Sequence, residues 1–353
     1  MYDKHSLCDL GLSGIMAKKI TMAELARLAE VDISTVSRAL NDSPLVKADT
    51  KNHVLKIAAE TGYVVNASAR NLRRQSAQAI GIVIPLAPGS GQTISDPFFL
   101  EMVGAVSHAA SARGYDLIVS VPQSETEIAE RRLLTTGRAD GLIVIGQAGR
   151  GERLNALNMS QSNIIVWGGR DVSHTYTVVG SDNVEGGRLA TEHLLRHGRK
   201  HILFVGDIDL PEVALRYEGY LKAHGDHDVD VESSLVLKLN FGGETAFERI
   251  KMFVSEGHQF DAIFAASDVL AMSAIHALRS LGKSVPRDVS IVGYDDVGQA
   301  AMSTPPLTTI NQNISQGGEM MVDMLLRKID GQQVESAYTP TTIVVRQSCG
   351  GTL

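Results

Sequence analysis

The stretch Thr21-Met22-Ala23-Glu24-Leu25-Ala26-Arg27-Leu28-Ala29-Glu30-Val31-Asp32-Ile33-Ser34-Thr35-Val36-Ser37-Arg38-Ala39-Leu40-Asn41 reads as two short helices joined by a tight turn. Thr21 with Glu24 three residues on is a capping box, in which hydroxyl and carboxylate each satisfy a backbone N–H at the helix start. Met22, Leu25, Ala26, Leu28 and Ala29 then line one helical face. The pattern breaks at Glu30-Val31-Asp32, and Asp32 is a good N-cap for a second helix over Ile33–Leu40. Val36, Ala39 and Leu40 face inward there, while Ile33, Ser34, Ser37 and Arg38 face outward. A third helix, about Ala48 to Thr61, is closed by Gly62.

A second helix with a small, polar outer face suits a helix-turn-helix, since short Ser and Thr side chains permit close approach to the major groove. Arg38 could reach a guanine edge or a phosphate. The competing reading is a three-helix bundle for protein contacts, and charge separates the two. Residues 17–74 carry ten Lys and Arg against six Asp and Glu, while the whole chain has a net charge of −7. A basic module on an acidic body is the electrostatic footprint of a DNA-binding head.

The rest of the 353 residues is long enough for one or two further domains. From Ala79, short apolar runs alternate with amphipathic stretches. Strands are expected at Ile80–Pro85, Tyr115–Val121, Gly141–Ile145 and Ile164–Val166, with helices at Phe99–Arg113 and Ser124–Thr136 between them. A second series has strands at Ile202–Val205, Leu235–Leu239, Ala262–Ala265 and Ser290–Val292. Its helices fall near Val184–Arg196, Glu212–His224, Glu244–Ser255 and Asp268–Leu281. Such alternation implies βαβ units and parallel sheets, here in two similar subdomains with a cleft at the carboxyl ends of the strands.

Leu25-Ala26-Arg27-Leu28-Ala29, Val31 and Thr35-Val36-Ser37-Arg38-Ala39-Leu40-Asn41 resemble the head of the LacI/GalR family of transcriptional regulators. Gly62-Tyr63-Val64-Val65-Asn66-Ala67-Ser68-Ala69-Arg70-Asn71-Leu72-Arg73 resembles the hinge of that family, and the likeness continues through Asp182-Asn183, Ser267-Asp268, Gly293-Tyr294-Asp295-Asp296 and Pro306-Leu307-Thr308-Thr309-Ile310. The implied fold is α/β: a two-lobed periplasmic-binding-protein-like sensor of two parallel βαβ subdomains, preceded by a small all-α head. The implied divisions are an extension over 1–16, a helix-turn-helix domain over 17–62, a hinge over 63–76 and an effector-binding and dimerisation domain over 77–353. The resemblance implies DNA contacts by Thr21, Ile33, Ser34, Thr35, Ser37, Arg38, Asn41, Asn66, Leu72 and Arg73. Leu72 would enter the minor groove as an apolar wedge. Two departures stand out. Glu30 replaces a frequent turn glycine, where a left-handed backbone costs about 1 kcal/mol, and Val65 replaces a proline before the hinge asparagine.

For the effector, the resemblance implies Phe98, Phe99 and Phe241 as aromatic walls, Arg216 as a forked donor and Asp268 as an acceptor, with Arg170 a weaker polar contact. Aromatic faces with a guanidinium and a carboxylate suit a polyhydroxylated sugar, whose hydroxyls donate and accept while its C–H faces stack. Trp167, the only tryptophan, either lines the cleft or packs the region between subdomains.

His193 and His197 are four apart on one helical face, a metal-capable spacing, but only His201, past Gly198, could add a third ligand. There is no Gly-x-Ser-x-Gly elbow, Walker loop or Gly-x-Gly-x-x-Gly fingerprint. We therefore expect no enzyme, cofactor or metal. Cys8 and Cys349 make no disulfide framework, no apolar run is long enough to span a membrane, and no secretory signal opens the chain, so a cytoplasmic protein is expected. The expected partners are a palindromic double-stranded operator, a sugar-like effector acting as inducer, and a second copy of the chain. No heptad helix follows the expected strand Thr342–Val345, which favours a homodimer over a tetramer. The alternatives are a regulator for which the effector is a corepressor, and a cytoplasmic solute-binding protein that uses its first helices for protein contacts.

Overall fold

The computed structural model describes residues 20–63, 76–86, 91–122, 129–147, 151–160 and 163–350. The chain forms two compact units, Met1–Gln75 and Ser76–Leu353.

In the first unit, α1 (Met22–Leu28), α2 (Ile33–Leu40) and α3 (Ala48–Thr61) close around Leu25, Val36 and Val54, all fully buried. Both halves of the capping box form: Thr21 Oγ1 accepts from Glu24 N–H at 3.2 Å, and Glu24 Oε2 accepts from Thr21 N–H at 3.1 Å. Asp32 stands at the N-cap of α2 with extended backbone, but its side chain makes no capping bond. Glu30 does take the left-handed conformation, at φ 52°. It accepts that cost to turn the chain within the four residues between α1 and α2.

The second unit is two lobes of the same design. The first sheet runs β11 (Ala337–Thr339), β5 (Thr177–Ser181), β4 (Ile164–Trp167), β3 (Gly141–Ile145), β1 (Ala79–Val83), β2 (Asp116–Ser120), and the second β12 (Thr342–Val344), β10 (Thr308–Asn311), β9 (Ser290–Asp295), β8 (Ala262–Ala265), β6 (Ile202–Val205), β7 (Val236–Leu237). The first lobe comprises β1 (Ala79–Val83), α4 (Pro97–Ser111), β2 (Asp116–Ser120), α5 (Ala129–Thr135), β3 (Gly141–Ile145), α6 (Gly151–Ser160), β4 (Ile164–Trp167) and β5 (Thr177–Ser181). The second comprises α7 (Asn183–Arg196), β6 (Ile202–Val205), α8 (Pro211–Asp226), β7 (Val236–Leu237), α9 (Gly243–Ser255), β8 (Ala262–Ala265), α10 (Asp268–Ser280), β9 (Ser290–Asp295), α11 (Gly298–Met302) and β10 (Thr308–Asn311). The chain then returns to the first lobe as α12 (Ile314–Ile329) and β11 (Ala337–Thr339), and ends in the second with β12 (Thr342–Val344). Ladders are parallel throughout, except that β12 runs antiparallel to β10. β1, β3, β4, β5, β6, β8 and β9 are buried along their whole length, as strands covered by helices on both faces must be.

The lobes are therefore joined three times, at 181–183, 311–314 and 339–342. The sequence patterns did not reveal β5, β10, β11, α6 or α12. β10 is the tetrapeptide Thr308-Thr309-Ile310-Asn311, too polar to register as an apolar run, although Thr308 and Thr309 are fully buried through hydroxyl hydrogen bonds.

Candidate functional site

Between the lobes, beyond the carboxyl ends of the strands, lies a cleft enclosing about 820 Å³ of empty space, its open mouth included. A crevice at this place is where parallel α/β folds bind ligands.

The first lobe supplies most of the apolar wall. Asp96 caps α4 by accepting from Phe98 N–H at 3.0 Å, and Pro97 opens the helix, so Phe98 and Phe99 stand at its mouth. Their rings meet edge to face at 5.5 Å, and Phe98 lies 6.4 Å from Trp167. Trp167 both lines the cleft and packs inward: a Cβ on Gly317 of α12 would collide with its ring. Gln147, only 1% exposed, holds the loop after β4. Its Nε2 donates to Gly169 O and to Tyr176 Oη, both at 2.9 Å, and its Oε1 accepts from Gly169 N–H at 3.0 Å.

The second lobe supplies the charge. Arg216 of α8 is buried, donates from Nε to Asn183 Oδ1 at 2.8 Å and from Nη1 to Ala266 O, and lies 3.7 Å over the Tyr294 ring. Its helix approaches α7 so closely that a Cβ on Gly187 would collide with Arg216 O. Asp295, at the end of β9 with φ 124°, accepts from Gln312 Nε2 at 2.6 Å. Burial raises the Asp295 pKa well above the carboxylate range, against the pull of Arg216 and with added repulsion from Asp268 and Asp96. Burial likewise raises Glu212 and Asp96. Glu212 Oε1 also accepts from Gln147 N–H at 3.3 Å, across the cleft. Phe241 and Asn240 complete this side.

Phe98, Phe99, Arg216 and Phe241 thus meet on one cavity, whereas Asp268 and Arg170 do not. Asp268 is the first residue of α10, fully buried behind β9. Its Oδ1 accepts from Thr309 Oγ1 at 2.5 Å and its Oδ2 from Val297 N–H at 3.0 Å. The expectation that it accepts from a ligand is corrected: both oxygens serve the chain, and the neighbouring Ser267 faces the cleft while capping α10. Arg170 is exposed in the loop after β4 and lines nothing in the cleft. The sequence reading missed three cleft carboxyls, Asp96, Glu212 and Asp295, of which Asp295 takes the place expected of Asp268. Asp295 stood in a quoted motif at the carboxyl end of an expected strand, which is the signal that could have found it. Gln147, Glu212 and Gln312 carried no comparable pattern.

On the head, Ser34 and Arg38 are exposed, Ile33 is half exposed, and Thr35 and Ser37 are half-buried on α2. Asn41 Nδ2 donates to Ser37 O at 2.7 Å at the end of that helix, and Thr21 is exposed at the start of α1. Asn66, Leu72 and Arg73 lie outside the described residues. The His193 and His197 rings lie 4.3 Å apart, tilted by 44°. Burial, then the neighbouring His197 and Arg196, lower His193 to about 4, and its Nε2 has no partner. Among the described residues, no three His, Cys, Asp or Glu side chains converge as metal ligands, and no helix is long and apolar enough to cross a membrane.

A helix-turn-helix head on a two-lobed sensor with a ligand-sized cleft defines a DNA-binding transcriptional regulator with a small-molecule effector. Residues 21–66 match the bacterial regulatory proteins of the lacI family, and residues 191–349 match a periplasmic binding protein-like domain. The chain is 30% identical to the HTH-type transcriptional repressor PurR of Pasteurella multocida over 93% of its own length and 98% of that protein. It superposes on the lac repressor dimer bound to operator and the anti-inducer ONPF with a TM-score of 0.82, at 26% identity and 94% and 99% coverage. The complex of the regulator CelR with cellobiose gives a TM-score of 0.66, at 27% identity and 93% and 99% coverage. The chain belongs to the LacI family of transcriptional regulators, which are not enzymes.

Proposed function

We propose that this protein is a repressor whose operator binding is relieved when a neutral sugar occupies the cleft. The observation carrying the effector class is the polar lining. It offers carboxyls at Asp96, Glu212 and Asp295, all with raised pKa, and amides at Gln147, Asn240 and Gln312. Arg216 is the only Lys or Arg among the described lining residues, and its Nε and Nη1 are already bonded within the chain. Such a lining can exchange hydrogen bonds with hydroxyls while Phe98, Trp167 and Phe241 stack on C–H faces. A phosphate would find only this one, largely occupied guanidinium for charge-assisted bonds. The repressor PurR and the CelR complex with cellobiose resemble the chain to similar degrees, so identity alone does not choose an effector.

The working divisions are an extension over 1–16, a head over 17–62, a hinge over 63–76 and a sensor over 77–353. Two heads of a homodimer would read a palindrome, with base or phosphate contacts from the exposed face of α2 and with Leu72 and Arg73 at the minor groove. The protein would act in the cytoplasm.

Thermal melting with glucose, ribose, maltose, cellobiose, glucose 6-phosphate, adenine and guanine tests the effector class. A neutral sugar should raise the melting temperature and the others should not. Stabilisation by adenine or guanine alone would overturn the sugar reading. For the head, Arg38→Ala should weaken operator binding by about 1–3 kcal/mol if it makes a bidentate base contact. Gel-shift titrations on operator and scrambled DNA would register this, and unchanged binding would remove Arg38 from the interface.

A further inference from the structure

One buried residue joins the cleft to all the connections between the lobes. Gln312, 1% exposed, lies in the second crossover, between β10 and α12, and also lines the cleft. Its Nε2 donates to Asp295 Oδ1 at 2.6 Å, on the cleft floor. Its Oε1 accepts from Ser181 Oγ at 2.7 Å, in the first crossover. Its backbone oxygen accepts from Thr339 Oγ1 at 2.6 Å, in the third. The first crossover has a second tie: Tyr294 Oη lies 3.2 Å from Ser181 Oγ, and the Tyr294 ring carries the Arg216 guanidinium. Arg216 in turn holds Asn183, whose Nδ2 donates to Ser181 O at 3.2 Å.

We propose that Gln312 is the positioning residue that transmits cleft occupancy to the pivot of the lobes. Any relative rotation of the lobes must bend the chain at the three crossovers, and all three are bonded to this one residue. A ligand that re-pairs Asp295 shifts the amide of Gln312 and with it the segment at 181–183, and strains the Gln312 backbone to which the segment at 339–342 is bonded. Ser181 and Thr339 line nothing in the cleft, so they can be altered without touching the ligand. The proposal rests on the cleft being the effector site, but not on the effector being a sugar.

The test uses the full chain with Ser181→Ala and Thr339→Val, each removing one hydroxyl from the knot. The compound from the melting panel that stabilises wild type most is titrated calorimetrically, and operator affinity is measured with and without it. The variants should keep ligand affinity within about threefold, yet lose roughly 3–30-fold of the ratio between the two operator affinities. Ser181→Thr and Thr339→Ser, which retain the hydroxyls, should restore that ratio. A lowered melting temperature with the ratio unchanged would make the knot merely structural and overturn the proposal. A ligand-free arm places spin labels at Met159→Cys and Met252→Cys, exposed positions on the two lobes, with Cys8→Ser. Pulsed electron resonance should give a broader lobe-to-lobe distance distribution in Ser181→Ala and Thr339→Val than in wild type, and identical distributions would also count against the knot. If no panel compound binds, the effector reading fails while this arm still decides the coupling.

Discussion

The two lobes share a strand order and a helical cover, yet they line the cleft differently. The first contributes three of the four aromatic rings, Phe98, Phe99 and Trp167. The second contributes the guanidinium of Arg216 and the carboxyls of Glu212 and Asp295. One lobe offers shape and stacking, and the other offers directed, partly charged hydrogen bonds in a dry setting. A ligand needs both only when the lobes close on it, so cleft chemistry and lobe geometry are coupled through differential affinity for the closed state. Substitutions on the two sides should therefore differ in size.

The largest effect is expected on the second lobe. Arg216→Ala removes a buried guanidinium, and charged hydrogen bonds are worth about 1.5–3 kcal/mol each. Effector affinity should fall roughly 100-fold by calorimetry. A loss below about threefold would erase the contrast between the lobes.

Asp268→Ala sharpens the same contrast, because this carboxyl belongs to the second lobe without facing the cleft. Its loss leaves Thr309 Oγ1 and Val297 N–H without an acceptor, so unfolding free energy should drop by about 2–3 kcal/mol while effector affinity stays put. The group also predicts a pH dependence. Burial raises its pKa from 3.8 to about 7, against the pull of Thr309 and Val297. The folded state then holds a proton that the unfolded chain releases, so its contribution to stability declines as pH rises through that window. Denaturant titrations at several pH values should show this slope flattened in Asp268→Ala. An equal slope in both proteins would assign the dependence to other carboxyls.

Smaller effects belong to the first lobe. Phe98→Leu keeps an apolar wall but removes an aromatic face worth about 0.5–1.5 kcal/mol, so affinity should weaken roughly threefold to tenfold. A 100-fold loss would mean that stacking rather than hydrogen bonding dominates. Arg170→Ala, on the exposed loop, should change affinity less than about twofold. A larger change would return Arg170 to the site.

These unequal roles also explain what could be read in the sequence. The head was legible because its signals are local: Thr21 and Glu24 make a cap within four residues, and Glu30 marks the turn. Strands buried on both faces, such as β3 and β8, appear as uninterrupted apolar runs. β10 and α12 were not legible, because Thr308 and Thr309 are buried through partners distant in sequence and the chain changes lobes between them and β11. In the cleft, aromatic and arginine positions were carried by motif, whereas choosing between two carboxyls of the second lobe required knowing which one β9 leaves facing open space. Asp268 has a hydroxyl and an amide from its own chain, and Asp295 has Gln312 and the cavity. Gln147 and Gln312 act through geometry alone, and no spacing announces them.

The central claim is that this cleft controls the head. Operator DNA selected from a random palindromic pool, carrying a fluorophore, would be titrated with the full chain while the stabilising compound is varied, for wild type and Arg216→Ala. Wild type should release the DNA as ligand rises, and Arg216→Ala, whatever its affinity for the DNA without ligand, should release it only at roughly 100-fold higher ligand. Release of Arg216→Ala along the wild-type dose curve would contradict the account.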